Sequence, residues 1–192
     1  MHAGMTAIWR FCLAKEYSKS KKHFKDNIIF IFQPAEEGPG GAAKIVEAKV
    51  LDGFNVRAFI ATHIFPELEQ GTFGCCSGPL TARNGEVDIH VAGKAAHGAM
   101  PHKGIDSVVV LSQLIQAMQT IVSRRLDPLE SAVVTFGRAS AGEVRNVIAG
   151  SAKIEGTIRA FSEDTYRAIK DDISMICSGI GEANGCEVDA DI

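Results

Sequence analysis

No apolar run in these 192 residues approaches the length of a membrane span. The opening Met1-His2-Ala3-Gly4 has no basic stretch followed by an apolar one, so no signal peptide is expected. Net charge is low, at −3, and Lys and Arg are scattered apart from Lys19-Ser20-Lys21-Lys22, which reads as a solvated loop. That balance argues against a nucleic-acid or membrane-surface binder. No C-x-x-C pair occurs among Cys12, Cys75, Cys76, Cys177 and Cys186, and their number is odd. A disulfide framework is therefore not expected, and a reducing, cytoplasmic compartment fits best. The vicinal Cys75-Cys76 reads as small buried thiols inside a strand. Internal repeats and low-complexity segments are also missing.

What is present suits one or two globular domains with a real core: 46% of residues are hydrophobic. Residues 7–14 read as a helix and residues 15–26 as a polar loop. Residues 27–33 carry apolar side chains on both faces, which predicts a strand covered on both sides. Residues 41–51 read as an amphipathic helix and residues 56–62 as a second buried strand. Strand, helix, strand at this spacing predicts a βαβ unit with parallel strands. Its carboxyl edge would then gather Glu36, Glu37 and His63, where open α/β sheets place ligands. Residues 71–77 read as one more strand, and Gly78-Pro79-Leu80 marks a domain boundary.

Beyond it the pattern changes. Val87, Ile89 and Val91 alternate with Glu86, Asp88 and His90, predicting a half-exposed antiparallel strand. Residues 105–122 read as a long helix with Val108, Leu111, Leu114, Ile115, Met118 and Ile121 on one face. Strands follow over 132–136, 144–148 and 154–159. Ser162 caps a helix to about Cys177, and residues 186–192 alternate again. The expectation is a partial catalytic domain of the α/β class with a mostly parallel sheet (1–80). A two-layer α+β, ferredoxin-like domain (81–192) follows it.

Three stretches carry candidate chemistry. Glu36 and Glu37 sit in a Pro/Gly-rich turn after an apolar strand. Adjacent carboxylates point in different directions, so one can hold a metal while the other faces a water; a solvated loop is the plainer alternative. His63, at a strand end, is either a buried structural histidine or a metal ligand. Gly93-Lys94-Ala95-Ala96-His97-Gly98-Ala99-Met100-Pro101-His102 combines tight backbone with imidazole, as a substrate loop that stabilises an oxyanion would, or as a surface turn would. Arg145-Asn146 and Arg159 complete the set. An arginine within a strand either clamps a carboxylate or snorkels to the surface. A glycosidase pair is disfavoured because adjacent carboxylates cannot flank a sugar ring. Gly38 to Gly41 lacks the Gly-Lys-Ser/Thr ending of a phosphate loop.

Taken together, Gln33-Pro34-Ala35-Glu36-Glu37-Gly38, Thr62-His63, the Gly93 to His102 run, Val144-Arg145-Asn146-Val147-Ile148 and Glu155-Gly156-Thr157-Ile158-Arg159 resemble the M20 metallopeptidase family. The similarity is greatest to its N-acyl-amino-acid amidohydrolase branch. The resemblance implies two divalent metal ions, zinc or manganese, and deacylation of a small N-acyl amino acid by a metal-bound hydroxide. It implies Glu36 as general base, Glu37 and His63 as metal ligands, and His97 as an oxyanion-supporting residue that reaches a partner subunit's site. Asn146 and Arg159 would hold the substrate carbonyl and carboxylate. It also implies a lid domain that forms a homodimer, with neither nucleic acid nor membrane as partner. The family's Cys-Gly-His-Asp metal motif would fall just before Met1 and a late histidine ligand beyond Ile192. The expectation is accordingly a fragment, inactive by itself, and the alternative is a non-catalytic dimerisation module.

Overall fold

The computed structural model describes residues 2–20, 26–34 and 41–192, with side chains from residue 10 onward. The chain divides into two compact units, Met1–Gly74 and Cys75–Ile192.

In the first unit, helix α1 spans His2–Lys19. It overruns the expected polar loop because Lys15, Glu16 and Lys19 are good helix formers, and Glu16 pairs with Lys19 at 3.7 Å. Phe11 stacks on Phe32 with centroids 4.5 Å apart, and Tyr17 lies 6.3 Å from Phe30. Helix α2 covers Gly41–Glu47. Residues 27–33, 56–62 and 71–77 form no strands, contrary to the sequence-based expectation, and no parallel pair occurs among the described residues. Two strands alone are marginal, and runs that are apolar on both faces need a covering layer on each side. Here Phe59 is 74% and Ile60 90% exposed, so no described residue of this unit supplies that layer. Arg57 pairs with Asp26 at 3.1 Å.

The second unit is built on alternation. Strand β1 (Arg83–Ala92) buries Val87, Ile89 and Val91 and turns Glu86 and His90 outward. A two-residue strand β2 (Ala96–His97) follows, then helix α3 (Ser107–Thr120). The long strand β3 is Ala132–Ala141, β4 is Val147–Ile148 and β5 is Ser151–Ala160. Helix α4 (Glu163–Asn184) and strand β6 (Glu187–Asp191) complete the unit. Four strands form one sheet in the order β3-β5-β1-β6, every pair antiparallel. This unit thus has two helices on a four-stranded antiparallel sheet, whereas the mostly parallel sheet expected over residues 1–80 is not found among the described residues.

Both helices cover one face of the sheet. Val110, Leu114, Met118 and Ile121 of α3 and its terminal turn meet Tyr166, Ile169, Ile173 and Ile176 of α4 over Ile154 and Ile158. The α3 stripe is rotated from the expected one: Val110 is buried and Val108 is half exposed. Asp106 caps α3 by accepting from Val108 N at 2.9 Å, and Ser162 caps α4 through Thr165 N at 3.0 Å, as expected. Helix α4 runs past Cys177 because Gly181 packs against β6 instead of ending the helix. A Cβ there would lie 2.8 Å from Cys186 O. Gly185, at φ 67°, makes the stop.

Among the described residues, no helix is long and apolar enough to cross a membrane. Cys75 and Cys76 are exposed, not buried in a strand, because no ladder forms there. Cys177 is buried, and burial, with the Asp189 charge, pushes its thiol up to about 11. Thiolate is the reactive form, so Ellman's reagent near pH 8 should label Cys12, Cys75 and Cys76 quickly and Cys177 only after denaturation. Rapid labelling of Cys177 in the folded chain would contradict this packing.

Candidate active site

The structure brings two of the candidate residues together. His97 ends β2 and Asn146 immediately precedes β4, and those two short strands pair with His97 opposite Val147 and Ala96 opposite Ile148. Gly98 N donates to Asn146 O at 2.8 Å, closing the pair. Three further bonds anchor the loop: Lys94 and Ile105 exchange N–H···O bonds at 3.0 and 2.9 Å, and Ser107 N donates to Ala149 O at 3.0 Å. Such close approach is possible because the crossing points are glycines. A Cβ on Gly93 would lie 2.6 Å from Ile105 O, one on Gly104 2.8 Å from Lys94 O, and one on Gly150 3.0 Å from Ala95 N.

The protonation pattern of two histidines follows from their partners. Ala99 N lies 3.1 Å from His97 Nδ1. An amide can only donate, so in the neutral ring Nδ1 accepts and Nε2 carries the proton. The His63 ring is the reverse. Its Nδ1 lies 2.8 Å from Ile64 O, which can only accept, so Nδ1 holds the proton and Nε2 offers a lone pair. The His63 ring also tilts against Phe65 at 5.1 Å. Both histidines are exposed.

Arg159 lies on the open face of the four-stranded sheet, opposite Asn84 and Val133, with its side chain exposed. Glu36 and Glu37 lie outside the described residues, and the parallel strands expected to bring them to His63 do not form. A catalytic metal needs about three converging protein donors. Among the described residues no three of His, Cys, Asp and Glu converge that way. His63 has the tautomer and the carbonyl partner that suit a ligand, so the fit is to one member of a set, not to a complete one.

A groove of about 720 Å³ opens between the ends of β1 and β5 and the loop before β4. It is lined by His90, Lys153, Val144 and Val147, not by His97, Asn146 or Arg159. Its lysine is already paired: Lys153 Nζ lies 2.9 Å from Glu155 Oε1 and 3.0 Å from Asp88 Oδ2. Glu155 and Asp88 hold the lysine above its usual value, and the lysine holds Glu155 below the usual carboxylate range. This is an ion-pair network on a solvated sheet face, a weaker catalytic candidate than the loop carrying His97.

The profile of peptidase family M20/M25/M40 matches residues 1–184. An N-acetyldiaminopimelate deacetylase of Geobacillus sp. strain WCH70 is 44% identical over 167 residues, which are 87% of this chain and 44% of that protein. A second, of Priestia megaterium, is 41% identical over 172 residues, 90% of this chain and 46% of that one. Among solved structures, a proposed aminohydrolase of methicillin-resistant Staphylococcus aureus superposes with TM-score 0.85 at 32% identity. It covers 94% of this chain and 48% of its own. The Bacillus subtilis YXEP protein, described as a dinuclear metal-binding peptidase of the M20 family, gives TM-score 0.62 at 33% identity, over 84% of this chain and 39% of its own. The chain thus spans under half the length of each of these relatives.

Proposed function

The chain belongs to peptidase family M20/M25/M40, and on that footing we propose that it supplies part of the active site of a metal-dependent amidohydrolase that deacylates N-acyl amino acids. The observation that carries this reading is the pair of opposite histidine tautomers, each matched to its role. His63 presents a bare Nε2, as a metal ligand must. His97 presents an Nε2–H, as a donor to a developing oxyanion must. The close relatives named N-acetyldiaminopimelate deacetylase support an N-acetyl amino acid as substrate.

Glu37 and His63 would help hold a divalent metal, zinc or manganese, in a two-ion site. When bound, the metal supplies Lewis acidity at the scissile amide and acidifies water. Glu36 takes the proton of the attacking water and passes it to the leaving amine. In a partner subunit's site, the Nε2–H of His97 would donate to the carbonyl oxygen as negative charge grows there, and the side-chain amide of Asn146 would help hold that oxygen. The exposed guanidinium of Arg159 binds the substrate carboxylate with two parallel hydrogen bonds. To test the activity, residues 1–192 would replace the matching segment of the Geobacillus relative, and release of acetate from N-acetyl amino acids would be followed. Turnover supports the reading; a folded, metal-loaded chimera without turnover contradicts it.

Residues 81–192 are proposed as a lid that forms a homodimer. Strand β3 is a ten-residue sheet edge with Val133 52% exposed, whereas the opposite edge, β6, is short and carries Glu187, Asp189 and Asp191. A long edge whose one charged residue, Arg138, already pairs with Glu155 at 3.0 Å invites pairing with another strand, and a short acidic one discourages it. Val133→Lys is expected to convert a dimer to a monomer in light-scattering mass measurements; an unchanged mass would remove β3 as the interface.

The second reading is a non-catalytic dimerisation module. It is favoured by the contrast between the well-packed core of the second unit and the exposed apolar segments of the first. Solution mass and metal content on one sample separate the two readings. All five cysteines are free thiols, which fits the proposed reducing, cytoplasmic compartment.

A further inference from the structure

The geometry points to Gly98 and the Ala99 amide as the positioning groups that hold His97 as an Nε2–H donor beside Asn146. The inference rests on the amidohydrolase reading for its purpose but not for its test. Its first ground is the hydrogen bond from Ala99 N to His97 Nδ1, at 3.1 Å. The two residues are adjacent to one residue, Gly98, so the loop itself sets the ring's tautomer with no partner side chain. Its second ground is steric. A Cβ on Gly98 would lie 2.9 Å from Asn146 O and 3.2 Å from Asn146 C, both backbone atoms that cannot swing aside. Only glycine lets Gly98 N reach Asn146 O at 2.8 Å, and that bond joins the strand carrying His97 to the one following Asn146. Nearby Gly93, Gly104 and Gly150 anchor the loop to α3 and β5. Gly98 alone touches the Asn146 backbone.

Adding one methyl group at Gly98 therefore has a specific effect. It forces β2 and β4 apart, breaks the Gly98 to Asn146 bond, and frees the turn that aims the Ala99 amide at the imidazole. The helices and the four-stranded sheet keep their packing, because Gly98 contributes nothing to the core. Gly98 acts through His97 and does not itself touch substrate.

The test uses the whole 192-residue chain labelled with ¹⁵N, at about pH 8, above the ordinary histidine range. Long-range ¹H–¹⁵N spectra read the tautomer of each ring, and His97→Gln identifies the His97 signals. The wild-type chain is expected to show His97 as a single Nε2–H form with a slowly exchanging Ala99 amide. Gly98→Ala is expected to give a tautomer mixture, and Ala99 exchange about tenfold faster, the weight of one hydrogen bond. Gly179→Ala, where a Cβ meets nothing within 4 Å, is expected to leave both unchanged. An Nδ1–H form of His97 in the wild-type chain overturns the proposal without any variant. So does a folded Gly98→Ala chain with unaltered Ala99 exchange and tautomer. These spectra need neither metal nor substrate. An inactive chimera with the expected spectra would count against the amidohydrolase reading and leave the positioning of His97 standing.

Discussion

In the chimera that carries residues 1–192, Glu36→Gln should lower kcat about 10²–10⁴-fold while metal content stays the same. Glu37→Gln should do the reverse at the level of the metal: the ion is lost, and activity falls with it. The two residues are neighbours with identical side chains, so composition and local charge cannot separate them. The proposed difference between them is one of role. A general base contributes by moving a proton, and glutamine keeps its shape but cannot accept one. A ligand contributes by holding charge, and a neutral amide holds a hard cation less well than a carboxylate. Metal analysis and kcat measured on the same preparations read the two effects independently. Loss of metal in Glu36→Gln with retention in Glu37→Gln would exchange the roles. Equal loss in both would argue that neither acts as the base.

The second large effect concerns the first unit. Amides of residues 27–33 and 56–62 should exchange with solvent near their intrinsic rates, whereas those of β1 and β5 should exchange at least about a thousandfold more slowly. The reason is in the hydrogen bonds. Each residue of β1 from Arg83 to Ala92 has a register partner in β5. The apolar runs of the first unit have no ladder among the described residues, and Ile28 and Ile29 are 48% and 42% exposed. Hydrogen exchange read by mass spectrometry distinguishes the two segments directly. Strong protection over 56–62 would mean that a sheet forms there after all.

These two segments also show where sequence and structure part. Residues 83–192 were readable because their signals are local. Val87, Ile89 and Val91 alternate with polar residues, so one face had to be buried, and it is. Ser162 announces a helix start, and its hydroxyl accepts from Thr165 N. Ile28 to Phe32 gave an equally strong signal for a strand, but a strand is completed by its neighbours. Apolar side chains on both faces state a need for two covering layers and do not supply them. The end of α4 was misjudged for a related reason: the helix was expected to stop near Cys177 and runs to Asn184, because the missing side chain of Gly181 lets it sit against β6.

The candidate site was legible as residues and not as geometry. His97 and Asn146 stood out separately, one for its glycine-flanked loop and one for its place beside an arginine. Their pairing runs through β2 and β4, two residues each, too short to show any period. The tautomers of His63 and His97 depend on single backbone atoms, Ile64 O and Ala99 N, which no pattern of residue types encodes. Arg159 was read as either a clamp or a surface arginine, and its exposed place on the open sheet face leaves the guanidinium free to serve as either.

Metal content and turnover of the 192-residue chain by itself, beside the chimera, test the central claim most directly. The account holds that Glu37 and His63 are one part of a ligand set. It predicts well under one zinc or manganese ion per chain after dialysis, and no acetate released from N-acetyl amino acids, while the chimera binds metal and turns over. Tight stoichiometric metal with turnover by the chain alone would contradict it.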